Sequence, residues 1–179
     1  MNRLLEKYRK EIAPQLKADL GLKNILAAPK LTKAVLSIGI GQALRDPRFK
    51  EVAESTLMRL TGQKPVKTIA KKSIAAFKIR QGMEVGLKVT LRGNRMYDFV
   101  DKLVNISLPR IRDFRGLDPK IVDGQGNLSI GFRENLAFPE IKSDEVEKLH
   151  GLEVTIVTTA KTREAGLNLF KKLGFPFRT

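Results

Sequence analysis

The chain has 179 residues, 42% of them hydrophobic, enough for one domain with its own core or two small ones sharing an interface. Its 34 lysines and arginines against 19 acids give a net charge of +15, which points to a polyanionic partner, and the absence of cysteine excludes disulfides, thiolate zinc sites and cysteine nucleophiles. No apolar run approaches the roughly 18 residues of a membrane span, the charged N-terminal stretch is not a secretory signal, and with no tryptophan and two tyrosines, recognition leans on charge, hydrogen bonds and shape rather than stacking.

Residues 2–20 predict a basic amphipathic helix, with Leu5, Tyr8, Ile12 and Leu16 at spacings of three and four and Arg3, Lys7, Lys10 and Lys17 elsewhere around it. Pro14 predicts a kink or restart, and Gly21 a stop. Such a helix suits an ordinary surface role and an RNA contact equally well. Residues 31–40 predict a strand in which Leu36, Ile38 and Ile40 alternate with a leaner face of Val35, Ser37 and Gly39. Asp46 and Pro47 then predict the N-cap and first turn of a helix carrying Phe49, Val52, Ala53, Leu57 and Leu60, closed by Gly62.

Short strands are expected at 66–70 and 85–92, the latter with Val85, Leu87, Val89 and Leu91 inward and Lys88, Thr90 and Arg92 on the other face. Asn94 is expected to cap a helix with Met96, Phe99, Val100 and Leu103, which Pro109 prevents from running far past Ile106. Further strands are expected at 128–134 and 152–159, with a short helix at 143–149 between them. A last helix is capped by Thr162, carries Leu169, Phe170 and Leu173, and stops at Gly174. Helices and strands interleave without a βαβ rhythm. That predicts an α+β fold, a mixed and largely antiparallel sheet with helices on one face, in a single compact domain over residues 1–179.

The densest charge lies between Lys64 and Arg95, where Lys64, Lys67, Lys71, Lys72, Lys78, Arg80, Lys88, Arg92 and Arg95 face one acid, Glu84. Within it, residues 71–86 are expected to form a long, mobile basic loop between two strands, reaching along a phosphate backbone. Phe77 is its one aromatic, and Ser73 and Gln81 add neutral hydrogen bonds. The alternative is a solvated hairpin whose charges keep an edge soluble. Arg110, Arg112 and Arg115 form a second cluster, suited equally to RNA phosphates or to carboxylates such as Asp113.

Signals for an enzyme are thin. Gly39-Ile40-Gly41 lacks the third glycine of a dinucleotide turn, because position 44 is leucine. The single histidine, His150, is better placed to cap a helix than to act as a base. Asp118, Asp123 and Glu134 share no helical face, and Asp123-Gly124-Gln125-Gly126-Asn127 looks like turn chemistry. No catalytic residue, metal or cofactor is expected. A general nucleic-acid module recruited by charge alone is the second reading, and a metal-dependent nuclease the third.

Specific strings go further than composition: Thr61-Gly62-Gln63-Lys64-Pro65, Lys71-Lys72-Ser73-Ile74, Phe77-Lys78-Ile79-Arg80-Gln81-Gly82, Lys88-Val89-Thr90-Leu91-Arg92-Gly93, Leu108 through Leu117, and Gly174-Phe175-Pro176-Phe177-Arg178. In this order, over essentially the whole chain, they resemble the bacterial ribosomal protein L five family of the large subunit. The resemblance implies attachment of 5S rRNA to large-subunit rRNA in the central protuberance, with no membrane role. It maps 5S rRNA contacts onto Ser37, Gln63, Lys64, Lys88, Thr90 and Arg92. It brings the loop residues Lys71, Lys72, Ser73, Phe77, Lys78, Arg80 and Gln81 to peptidyl-site tRNA. It also implies an intersubunit bridge from the C-terminal half to the small-subunit ribosomal protein S thirteen. Between Glu134 and Glu153 the charge reverses, so Asp144, Glu145 and Glu147 are the residues expected at that basic protein. Relatives typically carry asparagine at Ser37 and a basic residue at Gln125; serine reaches less far, and glutamine removes a phosphate charge.

Overall fold

Alternation of apolar and polar residues builds the sheet. In the computed structural model, which describes residues 2–41, 48–141 and 149–178, five strands pair in the order β2-β3-β1-β5-β4. They are β1 (Leu31–Gly39), β2 (Val66–Ile69), β3 (Glu84–Leu91), β4 (Leu128–Phe132) and β5 (Leu152–Thr158). The sheet is antiparallel and the fold is α+β, as expected. One face is buried: Leu36 and Ile38 of β1, Leu87, Val89 and Leu91 of β3, Leu128, Ile130 and Phe132 of β4, and Leu152, Val154 and Ile156 of β5. The intervening residues are exposed or half-exposed, the pattern of an antiparallel sheet covered on one side.

The helices are α1 (Arg3–Lys7), α2 (Ala13–Asp19), α3 (Arg48–Thr61), α4 (Gly93–Lys102) and α5 (Arg163–Lys172). By internal contact the chain forms two compact units, one of Met1–Ala34, Leu91–Ile130 and Thr155–Thr179, the other of Val35–Thr90 and Gly131–Val154.

In the first unit, α1 and α2 are joined by a π-turn, Tyr8–Ile12, in which the Ala13 N–H reaches the Tyr8 carbonyl five residues back. This is the structural form of the restart expected at Pro14. The wider turn keeps residues four apart on one side, so Leu4, Tyr8, Ile12 and Leu16 are buried and Leu5, expected inward, is only half-buried. A second π-turn, Leu103–Ser107, extends α4 as far as Pro109 allows. The expected cap at Asn94 is not seen: α4 starts at Gly93 after Arg92, and no side chain caps it. Thr162 does cap α5, its hydroxyl oxygen accepting the Ala165 N–H at 3.3 Å.

The 123–127 turn is held by its own side chains. Asp123 Oδ1 accepts the N–H groups of Gln125 (2.9 Å) and Asn127 (2.8 Å), and its Oδ2 accepts the Asn127 side-chain amide at 2.9 Å. Burial pushes this carboxyl up, but together the bonds from Asn127, Gln125 and Gly126 outweigh it and hold the pKa below the ordinary 3.8. Because the folded value lies below the unfolded one, its stabilisation is complete above the unfolded value and lost as pH falls through the folded one. Asp123→Asn is therefore expected to be less stable than the parent at neutral pH. The gap should narrow in acid, as followed by circular dichroism in urea melts across that range.

In the second unit the buried side chains include Leu36, Ile38, Phe49, Leu57, Leu87, Phe138 and Val154. Each fully buried leucine contributes about 1.5–3 kcal/mol. Helix α3 ends where Gly62 takes φ +64°, its N–H reaching the Met58 carbonyl at 2.8 Å. The expected cap at Asp46 and Pro47, and most of the helix expected at 143–149, lie outside the described residues. His150 is buried against the Phe49 ring, 5.7 Å away edge-to-face, with its Nδ1 3.3 Å from the Asn135 amide nitrogen.

Candidate nucleic-acid interface

The open face of the second unit centres on β3. Because its buried residues are Leu87 and Val89, the alternate positions Lys88 and Thr90 project to the other side, Lys88 exposed and Thr90 half-exposed. The neighbouring strand β2 pairs Val66 with Lys88 and Thr68 with Gly86, which puts Thr68 on the same face. A Cβ at Gly86 would meet the Thr68 hydroxyl at 2.7 Å and the Ile38 carbonyl at 3.1 Å, so only glycine admits this approach. The ladder shifts register between Thr68 and Ile69 and runs on to Glu84. Strand β3 therefore starts one residue ahead of the strand expected at 85–92 and takes residues 84–86 from the loop expected at 71–86.

The C-terminal turn of α3 sets Gln63 and Lys64 beside this strand pair. Thr61 Oγ1 donates to the Leu57 carbonyl at 2.6 Å and accepts the Gln63 N–H at 3.2 Å, leaving Lys64 exposed and Pro65 buried. Ser37 lies half-exposed on β1, with its hydroxyl donating to Glu153 Oε2 at 3.4 Å. Thr68 and Glu153 were not anticipated, because strand register decides which residue faces which, and one sequence carries no register signal for them.

The acid expected to stand alone among the lysines is engaged. Glu84 binds Lys50 of α3 at 2.5 Å and Lys67 of β2 at 2.9 Å. Hydrogen bonds from Lys50 and Lys67 hold its carboxyl below the usual range, and its bond to Lys67 raises the ammonium's pKa. Lys67 thus ties down the root of the loop and is not a spare positive charge.

The loop beyond it is folded on itself. Ala70 N–H reaches the Met83 carbonyl at 2.8 Å, Ile74 and Ile79 exchange backbone bonds of 2.8 and 3.1 Å, and Ser73 Oγ accepts the Gln81 N–H at 2.9 Å. A 3-10 turn, Ala75–Phe77, forms the tip, and Lys78 follows in the left-handed region at φ 55°. Phe77 is 68% exposed, and Lys71, Lys72, Lys78 and Arg80 are exposed with no ion pair among the described residues.

The other candidates belong to the first unit or lie outside the described residues. Arg92 is exposed at the N-cap of α4. Arg110, Arg112 and Arg115 are exposed; their one carboxylate contact among the described residues, Arg112 to Asp113 at 4.0 Å, joins two nearly fully solvated side chains and adds little. Asp118 is spent on a turn, accepting the Lys120 N–H at 2.8 Å. Asp144, Glu145 and Glu147 fall outside the described residues.

Comparison with known proteins gives the same direction along the full length. The family model described as "Ribosomal protein L5" matches residues 24–80, and the "ribosomal L5P family C-terminus" model matches residues 84–177. The chain is 53% identical over 177 residues to large ribosomal subunit protein uL5 of Natranaerobius thermophilus and 54% identical over 177 residues to that of Carboxydothermus hydrogenoformans. It is 56% identical over 178 residues to that of Herpetosiphon aurantiacus, and in all three cases 99% of each chain is covered.

Proposed function

Because the chain belongs to the ribosomal protein L5 family, whose members are large-subunit ribosomal proteins and not enzymes, we propose that it binds 5S rRNA through the open face of its sheet. The observation that carries this is the pairing of Lys88 and Thr90 on a face whose reverse is core, with Lys64 exposed at the adjoining turn. Phosphates meet exposed cations there, and Thr68, Thr90 and Gln63 supply neutral donors and acceptors. Arg92, an exposed cation of the first unit, is assigned to the same RNA. Ser37 is the weakest member, since Glu153 already takes its hydroxyl and repels phosphate. Thr90→Ala and Arg92→Gln are each expected to weaken 5S rRNA binding about 5- to 50-fold in filter binding, with circular dichroism unchanged. Competition by equimolar duplex DNA as strong as by 5S rRNA would favour a general nucleic-acid module instead.

The loop tip approaches peptidyl-site tRNA in this proposal, with Lys71, Lys72, Lys78 and Arg80 on the backbone, Phe77 at the tip, and Ser73 and Gln81 holding the turn. Neutralising the four cations together is expected to leave 5S binding within about twofold while loosening tRNA on reconstituted ribosomes, as read by tRNA dissociation rate. Loss of the 5S complex would contradict that division. Arg110, Arg112 and Arg115 are assigned to large-subunit rRNA, and Asp144, Glu145 and Glu147 to the small-subunit protein S thirteen. In this proposal the chain is bound to cytoplasmic ribosomes.

A further inference from the structure

The first unit carries a groove of about 530 Å³ that the sheet-face reading does not use. Tyr8 and Arg9 of the π-turn line it, with Ile25 and Leu26 of the 3-10 turn Ile25–Ala27, Lys30 ahead of β1, and Tyr97 of α4. Its lip is apolar and open to solvent: Leu26 is 83% exposed and Ile25 41%. An isolated exposed leucine means little, but one at the mouth of a lined groove marks a contact surface. Arg9 and Lys30 make no ion pair among the described residues, and no carboxylate lines the groove. The Tyr8 hydroxyl is already spent, donating to the Pro29 carbonyl at 3.0 Å, and the two tyrosine rings lie tilted 6.5 Å apart. Burial and then the neighbouring Tyr97 push the Tyr8 phenol up to about 12, so it stays neutral. Burial raises Tyr97 as well, against a smaller opposing pull from Arg9.

We propose that this groove seats one unpaired nucleotide of ribosomal RNA, its base against Leu26, Ile25 and the tyrosines and its phosphate on Arg9 and Lys30. Charge complementarity selects the occupant. Two uncompensated cations at the rim of an apolar slot call for an anion attached to a flat apolar body, which a nucleotide is and an acidic side chain is not. The inference rests on the RNA-binding reading but concerns a second contact, separate from the 5S face. It also gives the N-terminal basic helix an RNA role through the π-turn that interrupts it.

The chain contains no tryptophan, and its two tyrosines both line the groove, so intrinsic emission reports on this site alone. Titration of the full chain with hexaadenylate at low salt, corrected for absorbance, is expected to quench tyrosine emission saturably. Arg9→Gln combined with Leu26→Ser should weaken that response at least about fivefold while leaving 5S rRNA retention unchanged. A flat titration with 5S rRNA still bound would overturn the groove and leave the 5S reading standing. Failure to bind either RNA would remove both. Equal quenching by hexaglutamate, or by hexaadenylate in the double variant, would overturn the nucleotide assignment.

Discussion

Gly166→Ala is expected to lower the melting temperature by about 4–8 °C, although alanine is the better helix former. Gly166 sits inside α5, where its α-carbon faces Gly126 of the 123–127 turn. A Cβ there would come within 2.6 Å of the Gly126 carbonyl oxygen and 2.8 Å of its carbonyl carbon. These are backbone atoms with no rotamer to yield, and the Asp123 bonds and the Thr158 hydroxyl, which donates to the Gly126 carbonyl at 2.8 Å, hold them in place. Overpacking of this kind costs about 3 kcal/mol. The gain in helix propensity returns about 1 kcal/mol, so the clash wins by about 2 kcal/mol. Gly131→Ala is the control, since its Cβ would meet nothing within 4 Å. A scanning calorimetry experiment in which both variants melt with the parent would show that helix and turn can separate without cost.

The second large effect is on binding. Affinity for 5S rRNA is expected to fall about 60-fold between 50 and 200 mM salt, a log-log slope of about −3, if about four phosphates are neutralised. Lys64, Lys88 and Arg92 are exposed and make no ion pair among the described residues, so each displaces a counterion when it meets phosphate. Replacing Lys88 or Arg92 by glutamine should therefore flatten the slope by about 0.7–0.9. Lys67→Gln should not flatten it, because Glu84 already compensates that ammonium in the free protein. A slope near zero in the parent would remove the electrostatic basis of the interface.

Local patterns were enough for the five strands and for most of the helices among the described residues. The period-two alternation of 85–92 places Lys88 and Thr90 opposite Leu87 and Val89 without any knowledge of partners, because side chains on a strand must alternate. Thr162 and Gly174 bound α5 through capping chemistry that acts within a few residues. The strings from Thr61 to Arg178 located the family.

Pairing between distant segments was decided only in three dimensions. Neither the Gly126–Gly166 contact nor the reach of Gly86 to Thr68 follows from a glycine's position in the chain, since glycine is equally a turn residue. Lys67 looked like one more interface cation until β2 register and α3 brought it and Lys50 to Glu84. Tyr8 looked like one more core residue until the π-turn, the 25–27 turn and α4 were set around it. Alternation, capping and composition are properties of neighbouring residues, and one chain suffices to specify them. Register, charge compensation and grooves depend on which remote segments meet, and packing free energy sets that only when the whole unit folds.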